Sequence, residues 1–368
     1  MRKYRLRIGL DVDDVLYVCN EYAISILRER YGDLPELNIN KISSWGAQGN
    51  VLDERFAMFS SPEFVASQPL FPGAQKFVRE LSKIADVFFV TAVPPACMSA
   101  RAERLAHDFP EVPTSNIVIG TRKDIMDLDI LLDDAAHNIS RSRATYPVLL
   151  RRPWNTHLSG LLSVNSYDDF VHLAKLIRNS FVEKAPDLKA GGVLCLVGAS
   201  GTGKTQIAAK LTEDERFARP KTTTTRPRRP SEPTDAYHFV STDAFLRARD
   251  EGAFIETTVY SGAYYGTSDA EIAPIVEAGR IVVLPIDICG AISMKNRYRG
   301  RAMLVFTDRS REGILYDILS RNIPDDDKVR RIMSLDFEAR NEELCDLAVR
   351  FDDGACAAAE AIRAEIGL

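Results

Sequence analysis

The segment VLCLVGASGTGKTQIAAKL, Val193 to Leu211, constrains the fold more than any other. A short apolar run rich in branched residues reads as a buried strand, and QIAAKL reads as the start of a helix. Between them, Gly198 to Thr205 matches G-x-x-x-x-G-K-[ST]. The glycines let a backbone nest form whose N–H groups face a phosphate chain, and the helix that follows adds its positive N-terminus. A strand entering such a loop and leaving as a helix belongs to a parallel α/β sheet, with ligands beyond the strands' carboxyl ends. Gly198, Ser200, Gly201, Thr202 and Gly203 would line an ATP phosphate site. Lys204 would reach the β- and γ-phosphates, and Thr205 would ligate Mg²⁺.

The first half shows the same alternation. RLRIGLDV, DVFFVTA, SNIVIG, DILLDD and YPVLLR are short apolar runs that end in polar residues. Between two of them, Ala74, Phe77, Val78, Leu81 and Ile84 form a helical stripe. The expectation is a second parallel sheet with helices on both faces. From about Tyr17 to Pro72 the rhythm breaks into mainly helical segments, read as a small cap over the strand ends. With 368 residues the chain has room for two domains. These are expected at 1–183 and 192–368, joined by a polar linker at 184–191 within VEKAPDLKAGG.

Composition removes several classes. A net charge of −5 gives no general attraction to nucleic acid or anionic membranes. The six cysteines lie far apart without a CxxC pair, which argues against a zinc site and fits a reducing cytoplasm. The basic N-terminus reaches acidic residues too soon for a signal peptide, and no stretch has the apolar length of a membrane span. Small-molecule partners are expected and nucleic acid is disfavoured. Homo-oligomerisation is left open.

In the first half, Asp11 and Asp13 follow a strand in GLDVDDVL. Thr91 ends FFVTA, Lys123 lies in GTRKD, and Asp133 and Asp134 end DILLDD. Single acids at strand ends are ordinarily solvated, but this set in this order is chemically coherent. Carboxylates from two strands can hold Mg²⁺ through hard oxygen ligands. One carboxylate can attack phosphorus while a second serves as acid and base. A hydroxyl and a lysine can hold phosphoryl oxygens.

This series resembles the haloacid-dehalogenase-like (HAD) phosphatases over about residues 5–180. DVDDVL, FFVTAVP, LLDDAAHNI and RPWN are most similar to their 5′(3′)-deoxyribonucleotidase branch. The resemblance implies Asp11 as nucleophile, Asp13 as general acid/base, and Thr91 and Lys123 on the phosphate. It implies Mg²⁺ held by the carboxylates of the set, Asp11, Asp13, Asp133 and Asp134. Asp14 stands where many relatives have glycine and receives no role. Trp45, Phe56 and Phe59 in the cap are candidates to stack a base, although cap aromatics commonly serve as core.

After the P-loop, TTTTRPRRPSEPTDAYHF sets Arg226, Arg228 and Arg229 behind a run of threonines. Arginine forks suit a phosphate monoester. With GAFIETTVYSGAYYGTS, this second half resembles guanylate kinase over about residues 192–368. The resemblance implies that Arg226, Arg229, Tyr237 and Tyr265 hold the acceptor phosphate. It puts Thr222 and Glu256 against guanine, with Asp287 nearby, and makes Arg321 and Arg331 the arginines of a closing lid. Glu256 has an argument of its own, since a carboxylate accepts from both N1–H and the exocyclic amine of guanine. The sequence departs from the family at Pro285, which replaces an Asp, at Phe351, which replaces an Asn, and in an arginine-to-tyrosine loop one residue shorter.

The combined expectation is a bifunctional nucleotide enzyme. One half would be a phosphatase of (deoxy)nucleoside monophosphates, acting through an aspartyl-phosphate. The other would be an ATP-dependent kinase of a nucleoside monophosphate, GMP or dGMP. The pairing of domains also resembles polynucleotide kinase-phosphatases. However, a 5′-hydroxyl acceptor carries no phosphate for Arg226 and Tyr237 to engage. A guanylate-kinase-like binding module without activity fits poorly with an intact Gly203-Lys204-Thr205, and a ribose-bisphosphate kinase fits Glu256 less well.

Overall fold

The computed structural model describes residues 5–42, 46–47, 49–156, 158, 160–179, 186–228, 232, 236–260 and 262–368. Trp45, Arg229 and the first two residues of the expected linker lie outside them. Two compact units form: Met1–Thr156 with Ser166–Arg178, and His157–Asn165 with Asn179–Leu368.

In the first unit, five parallel strands are ordered β3-β2-β1-β4-β5. They are β1 (Leu6–Leu10), β2 (Ala85–Thr91), β3 (Ile117–Ile119), β4 (Ile130–Asp133) and β5 (Tyr146–Leu150). Leu10, Phe89, Leu132 and Val148 share one face of the sheet by register, and Val90, Leu131 and Leu149 point to the other; all are buried, so the central strands bury residues on both faces. Helix α4 (Ala74–Ser82) feeds β2 and buries Ala74, Phe77, Val78 and Leu81 of the expected stripe, whereas Ile84 lies past its end and is half-buried. Each large apolar side chain of that stripe contributes about 1.5–3 kcal/mol of burial.

After β1 the chain turns sharply, with Leu16 N and Tyr17 N both donating to Val12 O. It leaves the sheet at Tyr17 and returns at Leu70, the two residues forming an antiparallel bridge. Val18 N to Pro69 O and Phe71 N to Leu16 O close the neck on either side. Between these points lie helices α1 (Asn20–Tyr31), α2 (Arg55–Met58) and α3 (Pro62–Ser67). Ser61 caps α3 by accepting from Phe64 N, with Pro62 pre-set for the first turn.

In the second unit, a parallel sheet is ordered β14-β13-β6-β12-β7. Its strands are β6 (Gly192–Val197), β7 (Phe217–Ala218), β12 (Ile281–Pro285), β13 (Ala302–Asp308) and β14 (Leu347–Arg350). Helices α8 (Lys204–Leu211) and α14 (Gly354–Ile366) cover it, and Leu194, Leu196, Ile207, Val283, Val305 and Ile362 form one core. A separate sheet, ordered β9-β8-β11-β10, comprises β8 (Thr223–Thr224), β9 (His238–Phe239), β10 (Glu256–Tyr260) and β11 (Ala263–Thr267). Helices α12 (Arg311–Ser320) and α13 (Asp325–Ala339) follow β13. Among the described residues, no helix is long and apolar enough to cross a membrane.

Candidate active sites

In the first unit the polar strand ends converge. Asp11 continues β1, its N–H donating to Leu132 O of β4, so the two adjacent strands present their carboxylates side by side. Asp11, Asp133 and Asp134 are buried, and each offers an oxygen within 4.8 Å of the others. Lys123 Nζ lies 2.7 Å from both Asp11 Oδ1 and Asp133 Oδ2. Burial opposes its charge, yet the two carboxylates hold its ammonium above the ordinary lysine range.

One lysine does not offset three carboxylates. Burial, with the charge of Asp133 next, pushes Asp11 up to about 7 and burial holds Asp134 well above its ordinary value. Asp133 is tied down by the N–H of Ala135 and the amide of Asn138. Asp134 Oδ2 accepts from Trp154 Nε1 at 2.9 Å, while its Oδ1 is buried without a partner. The hydroxyl of Thr91, at the end of β2 and fully buried, likewise has no partner. An orphaned oxygen among crowded carboxylates fits a divalent cation, and an orphaned hydroxyl at the end of the neighbouring strand fits an oxyanion.

Asp13 is not in the three-carboxylate cluster. Its Oδ1 accepts from Arg101 Nη2 at 2.6 Å and from Gln68 Nε2 at 3.0 Å. Asp14 turns the other way, in a left-handed conformation with φ 53°. Its carboxylate accepts from Cys19 N, Asn20 N and Asn20 Nδ2, serving the start of α1. Arg152 Nε, from RPWN, donates to Asp14 O. Phe59 packs with Tyr22 and Phe64 in an apolar cluster, and Phe56 meets Phe59 edge-on. The motif RPWN therefore does two jobs: Arg152 braces the loop after β1, and Trp154 and Asn155 hold Asp134.

In the second unit the glycine loop is pinned from several sides. Gly203 has φ 79°, and a Cβ there would drive into the ring of Phe351. Thr202 Oγ1 meets Thr307 Oγ1 at 2.7 Å, and Arg309 Nη1 donates to Gly201 O. Lys204 Nζ folds onto Gly198 O and Ala199 O at 2.5 and 2.7 Å. Burial of its ammonium pushes it down to about 8. Thr205, the first residue after it, is exposed. Arg321 and Arg331, from the α12–α13 region, both donate to Ser200 Oγ, at 3.2 and 2.5 Å. The two arginines, one just past α12 and one within α13, thus meet at the loop. Glu338 on α13 bears on the charge of Lys204 and accepts from Ser334; sequence reasoning did not single it out.

The smaller sheet gathers the remaining candidates. Arg226 lies over Tyr237 with its guanidinium carbon 5.5 Å from the ring centroid, and Tyr237 meets Tyr265 edge-on. Glu232 pairs with Arg226 at 2.7 Å. Thr222 leads into β8, its carbonyl accepting from His238 N. Glu256 and Thr267 are register partners across β10 and β11, which brings Thr267 Oγ1 to Glu256 Oε1 at 2.6 Å. Glu256 Oε2 is buried without a partner, and burial pushes the carboxyl up to about 8. Asp287 caps helix α11 (Ile288–Tyr298) through Gly290 N and adds its charge beside Glu256. Pro285 is the last residue of β12, and Phe351 follows β14 with Arg309 over its ring at 5.3 Å.

Comparison with known proteins agrees with this division. Residues 5–180 match the family model "5′ nucleotidase, deoxy (Pyrimidine), cytosolic type C protein", and residues 191–349 match "Guanylate kinase". Guanylate kinase of Nitratidesulfovibrio vulgaris is 35% identical over 169 residues, covering 45% of this chain and 81% of that protein. A solved guanylate kinase from Anaplasma phagocytophilum is 24% identical with a TM-score of 0.37, covering 49% of this chain and 86% of that one. A Bacillus subtilis protein described as a HAD-hydrolase bound to magnesium is 13% identical with a TM-score of 0.29. It covers 47% of this chain and 99% of that one. The chain belongs to the guanylate kinase family through its second unit, and its first unit is similar over residues 5–180 to the cytosolic type C 5′-nucleotidases.

Proposed function

We propose that the chain is a bifunctional enzyme of nucleotide metabolism. Its first unit would hydrolyse the phosphate of a (deoxy)nucleoside monophosphate. Its second would transfer the γ-phosphoryl of ATP to GMP or dGMP. The observation that carries the first activity is the buried Asp11–Asp133–Asp134 cluster with Lys123 between two of its members, together with the orphaned Thr91 hydroxyl at the end of β2, the strand that pairs with β1.

In this reading Asp11 attacks phosphorus and the bond to the leaving oxygen breaks, that oxygen taking a proton from Asp13. Water then attacks the aspartyl-phosphate, gives its proton to Asp13 and releases phosphate and Asp11. Thr91 and Lys123 hold phosphoryl oxygens. Asp11, Asp133 and Asp134 would hold Mg²⁺, whose positive charge lets the carboxylates stay ionised beside a phosphate.

In the kinase unit Lys204 leaves the loop carbonyls for the ATP phosphates, and Thr205 supplies its hydroxyl to Mg²⁺. Arg321 and Arg331 neutralise the transferred group on closure. Arg226, Tyr237 and Tyr265, with Arg229, bind the acceptor phosphate. Glu256 accepts from guanine, with Thr222 and Asp287 beside it, and its orphaned Oε2 supports that role. Six unpaired cysteines suit a reducing cytoplasm.

A substrate panel tests the proposal. The protein is incubated with Mg²⁺ and each NMP or dNMP, with and without ATP, while ADP and free phosphate are followed. ATP-dependent ADP formation should peak with GMP or dGMP, and phosphate should appear from at least one nucleotide without ATP. Absence of ADP with every acceptor would overturn the kinase half.

A further inference from the structure

The side chain of Arg101, on α5 (Met98–Asp108), is fully buried. Its Nη2 donates to Asp13 Oδ1 at 2.6 Å, while Nε and Nη1 are buried with no partner. Among the described residues its hydrogen bonding goes to Asp13 alone. The rest of the guanidinium lies against Tyr17, 5.2 Å from the ring centroid, with Arg104 5.1 Å from the same ring. Tyr17 is fixed in turn by Asp108, which accepts from its hydroxyl at 2.8 Å. Gln68, also buried and at the neck of the cap, donates to the same oxygen of Asp13 at 3.0 Å.

Burying a guanidinium for one hydrogen bond is a poor way to gain stability, because apolar residues of similar volume commonly do as well or better. The clamp does have a geometric consequence. Both donors fall on Oδ1, and among the described residues no donor reaches Oδ2. A carboxyl group held by one oxygen has a fixed plane and one oxygen left to carry a proton.

We propose that Arg101 is a positioning residue which, with Gln68, clamps Asp13 through Oδ1 and leaves Oδ2 to exchange the proton with the leaving oxygen. This inference rests on the phosphatase reading above. In the first half-reaction an Asp11 oxygen bonds to phosphorus, the phosphorus–leaving-oxygen bond breaks, and the proton on Asp13 Oδ2 passes to that oxygen. With p-nitrophenyl phosphate the same bonds form and break, but nitrophenolate departs without needing the proton.

The test compares kcat/KM, which covers steps only as far as loss of the leaving group, for a nucleotide substrate and for p-nitrophenyl phosphate. Arg101→Gln should lose at least about tenfold more on the nucleotide than on p-nitrophenyl phosphate, since a general acid contributes about 10²–10⁴-fold when correctly placed. Arg101→Lys, which can still reach a carboxylate as a point charge, should recover part of the difference. Equal losses on both substrates would reduce Arg101 to a packing residue and overturn the proposal, as would no loss on either.

If Arg101→Gln fails to fold, Gln68→Leu carries the test, because it removes one donor of the clamp and keeps the charge pair. It should show the same selective loss, and an unaltered substrate ratio would overturn the clamp. If the unaltered protein hydrolyses neither substrate, or if Asp11→Asn retains full hydrolysis, the phosphatase reading itself fails. That result is separate from any result with Arg101.

Discussion

The indole N–H of Trp154 donates to Asp134 Oδ2 across 2.9 Å, joining RPWN to the second carboxylate of DILLDD inside the protein. With Oδ2 taken, only Oδ1 of Asp134 is free for a cation. Partners that orient a ligand in this way are typically worth about 10–100-fold in metal affinity. Trp154→Phe should therefore raise the Mg²⁺ concentration for half-maximal thermal stabilisation about tenfold or more. The measurement is a thermal-shift titration with Mg²⁺ in the absence of nucleotide. An unchanged midpoint would make the indole a packing group only.

Glu256 gives a pH dependence with a definite sign. Burial pushes its carboxyl up to about 8, so the free protein carries it protonated at neutral pH. Accepting two hydrogen bonds from guanine requires the ionised form, whose population grows as pH rises through that value. KM for GMP should therefore fall between pH 6.5 and 8.5. Glu256→Gln should flatten that dependence and weaken GMP relative to AMP by about 1–3 kcal/mol. Initial rates across this range, at saturating ATP, check both statements.

Asp14 is structural. At φ 53° it pays a backbone strain that its carboxylate recovers by accepting from Cys19 N, Asn20 N and Asn20 Nδ2. Asp14→Ala should destabilise the first unit by about 2 kcal/mol. Asp14→Asn, which tolerates the left-handed conformation and keeps an acceptor, should cost less than half of that. Both tryptophans, Trp45 and Trp154, lie in the first half of the chain, so urea unfolding followed by tryptophan fluorescence reports this unit.

Gly203 has no room for a side chain, because its φ is 79° and Phe351 covers the position a Cβ would take. Gly203→Ala should distort the glycine loop at a cost of about 1–2 kcal/mol from backbone strain alone. ADP formation should fall steeply while phosphate release from nucleotides is unchanged. Assaying both activities on one preparation provides the check.

What could be read in the sequence follows from how local each signal is. The glycine loop and the helix stripe of α4 are contained within a dozen residues or so, and both are legible by spacing. The carboxylates of the first unit are legible because they gather at the ends of two strands, β1 and β4, and adjacent parallel strands must align their ends. The clamp on Asp13 is different. Arg101 is 88 positions away, on a helix whose other arginine, Arg104, is spent on Asp108, and no spacing rule separates the two. Phe351 likewise stands out in sequence only as a departure, and its contact with Gly203 exists only once β14 aligns beside β13. The pairing of Glu256 with Thr267 depends on hairpin register, fixed by a turn whose sequence does not specify it uniquely.

We propose two separate chemistries in one chain, one on Asp11 and one on Lys204. The direct measurement follows phosphate release from nucleotides and ATP-dependent ADP formation in Asp11→Asn and in Lys204→Ala, each as the full-length protein. Asp11→Asn should abolish phosphate release and leave ADP formation intact, and Lys204→Ala should do the reverse. Loss of both activities from either substitution, or of neither, would contradict the account.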